Sequence, residues 1–191
     1  MQIRPAARLA VLVVTLVAAA SGAIAGPAHA APARSTLAAS TLAAEDLGYD
    51  YTYTTGMTWP QTQLQTPTSV MTEVGSNFGR YFPFSSDCLS LPPVGSVCTL
   101  YAIGGVFANP VQVVGRTSTS FTFKSLPGHF EGAGRFITFA FYKVGIDPFG
   151  DIRLRATASG PWTLNAYLTI QSGQAKAFWN QFAVNVGNAY R

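Results

Sequence analysis

The sequence predicts a single α+β domain in which a curved antiparallel sheet wraps around a long C-terminal helix. After residue 96 the chain consists mostly of short runs rich in β-branched and aromatic residues, each bounded by Gly, Pro, Asn or Asp. In the last run, residues 152–158, apolar and polar side chains alternate, as in an antiparallel strand with one buried face. Beyond Gly173 the apolar residues recur at helical spacing. These three observations support the fold class.

One strand and one helix are predicted to open the domain, near residue 46. Tyr49, Tyr51 and Tyr53 recur at every second position, so they form one aromatic face of a strand. Thr66 and Pro67 then begin a helix, because threonine is a suitable N-cap and proline fits the first helical position. This helix is predicted to end near residues 79–83, and its apolar face comprises Val70, Val74 and Phe78.

The rest of the chain is predicted to form five strands and the terminal helix. The strands are expected at residues 97–102, 111–115, 120–126, 136–142 and 152–158. The terminal helix has an apolar stripe made of Ala175, Phe178, Phe182, Val186 and Ala189. Trp179 falls beside this stripe, so we expect it at the stripe's edge, near the mouth of a cavity.

The first 30 residues have the pattern of a secretory signal peptide. Arg4 and Arg8 precede a nearly unbroken apolar run, residues 9–25, and a small-x-small triplet ends at Ala30. The run is rich in alanine and shorter than a membrane span, which needs about 20 strongly apolar residues. We therefore predict cleavage after Ala30 and a secreted protein without a membrane anchor.

Residues 31–45 are predicted to form a low-complexity leader or pro-segment. The pentapeptide Ser-Thr-Leu-Ala-Ala occurs twice in tandem, at residues 35–44, and offers too little bulk for a packed core. Residues 46–191 then form the domain.

Charge and motifs exclude several kinds of partner. Removing Arg4 and Arg8 with the signal leaves 10 of the 12 basic residues against 8 acidic ones, a net charge of +2. No cluster of basic residues is present that would follow a phosphate backbone, so nucleic acid is not an expected partner. No phosphate-binding glycine motif and no nucleophile elbow occurs, and no cofactor or metal is predicted.

Cys88 and Cys98 are the only cysteines, and they are predicted to form a disulfide. The nine intervening residues include two prolines and a glycine, which favour a chain reversal. An exported protein meets an oxidising environment, where such a pair becomes oxidised. Closing so short a loop stabilises the fold by roughly 2.5 to 3 kcal/mol in the chain-entropy description.

His129 is the only histidine outside the predicted signal, and it lies in a turn between two predicted strands. With extended backbone, His129 and Glu131 point to the same side, where the carboxylate would orient the imidazole and raise its pKa. Arg135 would complete a polar trio, acting as a general base or recognising an anionic head group. A lone histidine next to Pro-Gly more often fastens its own turn by hydrogen bonds, and this structural role is weighed against the functional one.

The same turn carries a resemblance. The segment Leu126-Pro127-Gly128-His129, followed by Glu131 and Gly132, resembles the T-L-P-G-H-P-E-x-G-E segment of an uncharacterised family of bacterial and plant proteins. That family is related to the START-type helix-grip (polyketide cyclase-like) superfamily. The resemblance covers roughly the second half of the chain. This sequence departs from the family's threonine, second proline and final glutamate at Ser125, Phe130 and Ala133.

The resemblance implies a helix-grip fold, whose cavity between sheet and terminal helix holds an apolar ligand in many relatives. His129 and Arg135 would lie near the polar end of that cavity. Its apolar lining would consist of Phe121, Phe123, Phe139, Phe141, Trp162 and Phe182. The favoured function is thus a secreted module that binds an apolar small molecule.

Two alternatives stay open. One is a secreted enzyme that uses His129 with Glu131 as catalytic residues. The other is an interaction or inhibitor protein of the cell envelope that presents the loop between Cys88 and Cys98 to a partner. Binding is favoured over catalysis because no further catalytic constellation accompanies the histidine.

Overall fold

A seven-stranded antiparallel sheet organises the computed structural model, which describes residues 46–57, 60–102, 105–146 and 150–191. The order of the strands across the sheet is β1-β7-β6-β5-β4-β3-β2. Apart from β1, which pairs with β7, neighbours in the sheet are also neighbours in sequence. The strands are β1 (Tyr49–Thr54), β2 (Ser85–Ser86), β3 (Val97–Ala102), β4 (Phe107–Arg116), β5 (Ser120–Ser125), β6 (Phe136–Val144) and β7 (Asp151–Ser159).

The sheet curls into a half-barrel, and its concave face forms one wall of the core. Between Val113 and Gly115 the register of β4 against β5 shifts, and such a bulge increases local bending and twist. Along β5 and β7, and along β6 as far as Phe141, every second residue is buried, as the alternating pattern predicts. The inward rings of Phe121, Phe123, Phe139 and Phe141 are buried.

Five helices are found in the described residues: α1 (Gln61–Leu64), α2 (Pro67–Ser76), α3 (Phe78–Tyr81), α4 (Leu164–Gln171) and α5 (Gln174–Asn188). Thr66 caps α2, its side chain accepting a hydrogen bond from the Ser69 N–H at 3.1 Å. The α5 helix packs its apolar face into the concave side of the sheet. The ring of Phe182 lies 5.5 Å from that of Phe139 and 5.3 Å from that of Phe82.

The α+β fold class predicted from the sequence is confirmed, as are the antiparallel sheet and the terminal helix. Three elements were not predicted: α1, β2 and α4. The single helix predicted to run from Thr66 to residues 79–83 is divided at Asn77 into α2 and α3. Trp179 is also more deeply placed than expected, because it is buried and not at an edge.

The predicted signal peptide and leader, residues 1–45, lie outside the described residues. Within the described residues, no helix combines the length and apolar character needed to cross a membrane.

Candidate functional site

A cavity of about 70 Å³ lies between the concave face of the sheet and α5. Its walls come from the segment that follows α3, strands β3 to β6, the turn before β6, Thr169 of α4 and the first turns of α5. Aromatic rings dominate the lining, which includes Phe82, Phe84, Phe107, Phe123, Phe130, Phe139, Phe178 and Trp179. Aliphatic side chains fill most of the remaining wall: Leu100, Ala102, Val111, Ile137 and Ala175.

The cavity reaches the protein surface at an aromatic rim. Phe107 and Phe130 line it while being 39% and 41% exposed, and their ring centroids are 5.1 Å apart. Gln174, at the start of α5, also lines it and is exposed. The rim therefore lies between β4, the turn before β6 and α5.

Three polar lining residues are engaged by the protein. The Ser125 hydroxyl donates to the Gly132 carbonyl at 2.7 Å and accepts from the Arg135 N–H. The Thr169 hydroxyl donates to the Asn165 carbonyl at 2.8 Å. These two hydroxyl protons are therefore not directed to a ligand.

The third engaged residue, Asn109, holds the rim. Its Oδ1 accepts a hydrogen bond from the Phe130 N–H at 2.9 Å, and its Nδ2 donates to the Phe107 carbonyl at 3.1 Å. The side chain thus joins the backbone segments that carry both rim rings.

His129 both fastens its own turn and lines the cavity. Its Nδ1 accepts a hydrogen bond from the Glu131 N–H at 3.1 Å. Burial, and next the positive charge of Arg135, lower the pKa of His129 to about 4. The sequence predicted a raised pKa, and this direction is wrong because desolvation disfavours the imidazolium ion.

Glu131 also lines the cavity, and its carboxylate lies beside Arg135. Glu131 Oε2 and Arg135 Nε are 3.5 Å apart, and both atoms are buried without a hydrogen-bond partner. Burial raises the pKa of Glu131, and the nearby guanidinium offsets part of this rise. The polar trio predicted from the sequence is therefore assembled in space, with the Glu131 backbone rather than its carboxylate contacting the imidazole.

Arg135 is a buried structural residue and does not line the cavity. Its side chain is only 1% exposed. Nη1 donates to the Pro161 carbonyl at 2.9 Å, and Nη2 donates to the Leu47 carbonyl at 2.9 Å. The backbone of Gly160 closes over it, since a Cβ there would lie 2.6 Å from the Arg135 Cα. The guanidinium thus joins the start of the domain to the loop after β7.

Tyr49 and Trp179 form a second polar contact next to the cavity. The indole N–H of Trp179 donates to the Tyr49 hydroxyl at 2.6 Å. Burial, followed by the charge of Glu131, raises the pKa of Tyr49, so the phenol keeps its proton. The indole is thereby held with its ring in the cavity wall.

The structure brings together part of the ligand-binding set expected from the sequence. Phe123, His129 and Phe139 line the cavity. Phe121, Phe141 and Phe182 pack into the core beyond its wall. Trp162 is 50% exposed and lies near Tyr167 of α4, with ring centroids 6.3 Å apart.

Several lining residues were missed by sequence reasoning. Leu100 and Ala102 occupy alternate positions of β3, so the period-two pattern of that strand was the available signal. Phe82 and Phe84 lie outside long periodic elements, and no local pattern identifies them as cavity residues.

Cys88 and Cys98 form the predicted disulfide. The loop they close presents Leu89, which is 82% exposed. Among the described residues, ligating atoms of Asp87, Cys88 and Cys98 lie within 4.8 Å of one another, but the disulfide uses both sulfurs.

Comparison with known proteins shows likeness in fold. No family model matches the chain, and no curated protein matches it. Protein XoxI from Bacillus cereus is 12% identical with a TM-score of 0.52, covering 76% of this chain and 94% of its own.

Two further solved structures are similar. Protein MLL2253 from Mesorhizobium loti is 14% identical with a TM-score of 0.50, covering 75% of this chain and 94% of its own. The Aha1 dimer from Colwellia psychrerythraea is 13% identical with a TM-score of 0.50, covering 76% of this chain and 95% of its own. At such identities the similarity shows that this chain shares their curled-sheet fold.

Proposed function

We propose that this protein binds a small apolar molecule in the cavity between the sheet and α5. The observation that carries the proposal is the aromatic lining around open space, with few convergent polar groups. Ligand sites have this composition, whereas an ordinary core is filled to crystal-like density. The fold shared with the solved structures is compatible with such a site.

The size of the cavity limits the ligand. Its volume of about 70 Å³ is roughly half of the 150 Å³ that holds benzene in an engineered protein core. A ligand of one ring therefore enters with an outward rotation of a rim side chain such as Phe130, whose ring is partly exposed. The buried part of the ligand is compact, and any longer tail lies along the rim.

We also propose that the protein is exported and is a distant relative of the helix-grip superfamily. The signal-like sequence of residues 1–30 and the disulfide between Cys88 and Cys98 support export. The curled sheet around α5 supports the relationship.

The binding proposal is tested by an NMR titration with toluene, read on the methyl groups of Ala175 and Ile137. Ala102 lines the cavity, so Ala102→Phe fills it and is expected to abolish saturable shifts. Ala108→Phe, on the exposed face of β4, is the matched control and is expected to bind like the wild type. Saturation that survives Ala102→Phe, or no saturation in the wild-type protein, contradicts the proposal.

A further inference from the structure

We propose that the ligand is neutral and carries one hydrogen-bond acceptor, which accepts the Nε2 proton of His129. This inference rests on the proposed function and specifies the ligand class for the same cavity. A ketone, aldehyde, ester or ether oxygen on a compact apolar body has the required chemistry. His129 is then the residue that orients the ligand within otherwise apolar walls.

The position of the imidazole proton follows from the turn. Nδ1 of His129 accepts the hydrogen bond from the Glu131 N–H, so Nδ1 carries no proton. The neutral ring has one N–H, and it is therefore on Nε2. Among the residues that the structure describes, none accepts a hydrogen bond from Nε2.

The low pKa of His129, about 4, supports this protonation state at neutral pH. The ring is thus a directed donor whose orientation is already determined by its own turn. A ligand oxygen placed on Nε2 gains a hydrogen bond without requiring the protein to reorganise.

The charge of the site disfavours an anionic head group. Glu131 is a lining residue, whereas Arg135 does not line the cavity. Both terminal nitrogens of Arg135 donate to backbone carbonyls, those of Pro161 and Leu47. An anion in the cavity would therefore find no Lys or Arg among the lining residues to pair with.

A cationic ligand has one favourable contact, because aromatic rings attract cations. The carboxylate of Glu131 is nevertheless already beside the guanidinium of Arg135, at 3.5 Å. This pair carries no net charge to compensate a second buried cation. A neutral ligand is therefore preferred, and a cationic probe is included in the experiment for comparison.

The experiment compares four one-ring probes by isothermal titration of the full domain. Acetophenone carries a carbonyl, and α-methylstyrene has nearly the same shape without an acceptor. Benzoate and phenyltrimethylammonium supply the anion and the cation. We expect acetophenone to bind about three to ten times more tightly than α-methylstyrene, the value of one neutral hydrogen bond. Both ions are expected to bind more weakly than acetophenone.

Variants at His129 test whether this residue causes the difference in affinity between the two neutral probes. His129→Leu is expected to bring the two neutral probes within about twofold, and His129→Gln, which restores an N–H donor, is expected to recover part of the preference. Asn180→Ala is the matched control, since Asn180 is an exposed amide of α5 that does not line the cavity, and it should leave the preference unchanged.

Each other outcome contradicts a particular part of the proposal. Equal binding of both neutral probes to the wild type, or a preference that persists in His129→Leu, refutes the role of Nε2 while leaving apolar binding intact. Tightest binding of benzoate or phenyltrimethylammonium refutes the neutral class. Failure of all four probes to bind refutes the proposed function itself.

Discussion

The two nitrogens of His129 have different surroundings in this fold. Nδ1 closes the turn by accepting a hydrogen bond from the Glu131 N–H, whereas Nε2 is the nitrogen that we propose to contact a ligand. The surrounding charges include the guanidinium of Arg135, which further disfavours the protonated ring. A structural role and a ligand-binding role are thus compatible in one side chain.

His129 is expected to titrate near pH 4, far below the ordinary value of about 6.5. Because the folded pKa is depressed, the unfolded chain binds more protons between these values. This contribution to stability is complete above pH 6.5 and is lost as the pH falls towards 4. An NMR titration of the imidazole Cε1–H resonance measures the pKa directly, and a midpoint above 6 contradicts the burial described here.

The titration of Glu131 is expected to change the stability in the opposite direction to that of His129. Its pKa is raised by burial, so its contribution to stability is present at low pH and is lost as the pH rises through the folded pKa. Urea denaturation of the wild type, His129→Gln and Glu131→Gln at pH values from 4 to 7 separates the contributions of the two residues to stability. Glu131→Gln should steepen the loss of stability on acidification, and His129→Gln should flatten it.

Arg135 is expected to be essential for stability. Arg135→Met leaves the Leu47 and Pro161 carbonyls and the Glu131 carboxylate without their partner. Breaking a buried ion pair in this way costs about 3–5 kcal/mol of unfolding free energy. Urea denaturation measures the loss.

The matched control for Arg135 is Arg155→Met, which removes the exposed ion pair between Arg155 and Asp50 on the outer face of the sheet. Solvent screening makes that pair weak, so little change is expected. Similar losses for both variants would show that the buried position of Arg135 has no special role.

At the scale of elements, α5 is anchored by a close approach to the chain just after β1. A Cβ on Gly187 would lie 1.6 Å from the Thr55 carbonyl oxygen, so only glycine permits this contact. The helix is also held by Asn185, whose Nδ2 donates to the Tyr81 carbonyl at 2.9 Å. These contacts hold the C-terminal part of α5 close to the chain after β1 and to the end of α3.

Gly187→Ala is expected to destabilise the protein by about 1–3 kcal/mol through overpacking, although alanine favours helix by about 1 kcal/mol. Asn180→Ala, at an exposed position of α5, is the control and should be neutral or slightly stabilising. Thermal unfolding of both variants tests the prediction. A stabilised Gly187→Ala protein would mean that α5 has room to move away from Thr55.

At the scale of the whole molecule, the curled sheet and α5 bury a dense aromatic cluster on one side and leave the cavity on the other. Phe121, Phe141 and Phe182 lie in the dense cluster and are buried. The cavity lies towards β3, β4 and the turn holding His129. The proposed binding site and the dense aromatic cluster therefore belong to one core, and Phe139 is part of both.

Export is expected to yield a mature chain that begins at Ala31. Expression of the full sequence in a secreting bacterium, followed by N-terminal sequencing and intact mass, measures the cleavage site. Ala30→Asp should block cleavage, because the position before the cut requires a small residue. Ser35→Asp, beyond the cut, should leave it unchanged, and an unprocessed protein in the medium would contradict the predicted signal.

Much of the fold was predictable because its signals are local. In β7 the buried residues Ile152, Leu154 and Ala156 alternate with polar ones, and the stripe of α5 follows the helical period. The α4 helix was missed for the same reason: Leu164 and Leu168 are exposed, so its apolar residues form no buried stripe.

The sequence by itself determined the α+β class, the main strands, the terminal helix and the disulfide, since these depend on residue pattern within short stretches of chain. Only the tertiary structure decided that Phe82, Phe107 and Trp179 meet around a cavity. It also decided the direction of the His129 pKa shift. Both outcomes depend on packing between distant segments, such as Tyr49 and Trp179, which are 130 residues apart. Such contacts exclude solvent from groups that are far apart in the sequence, so the local pattern of residues does not predict this burial.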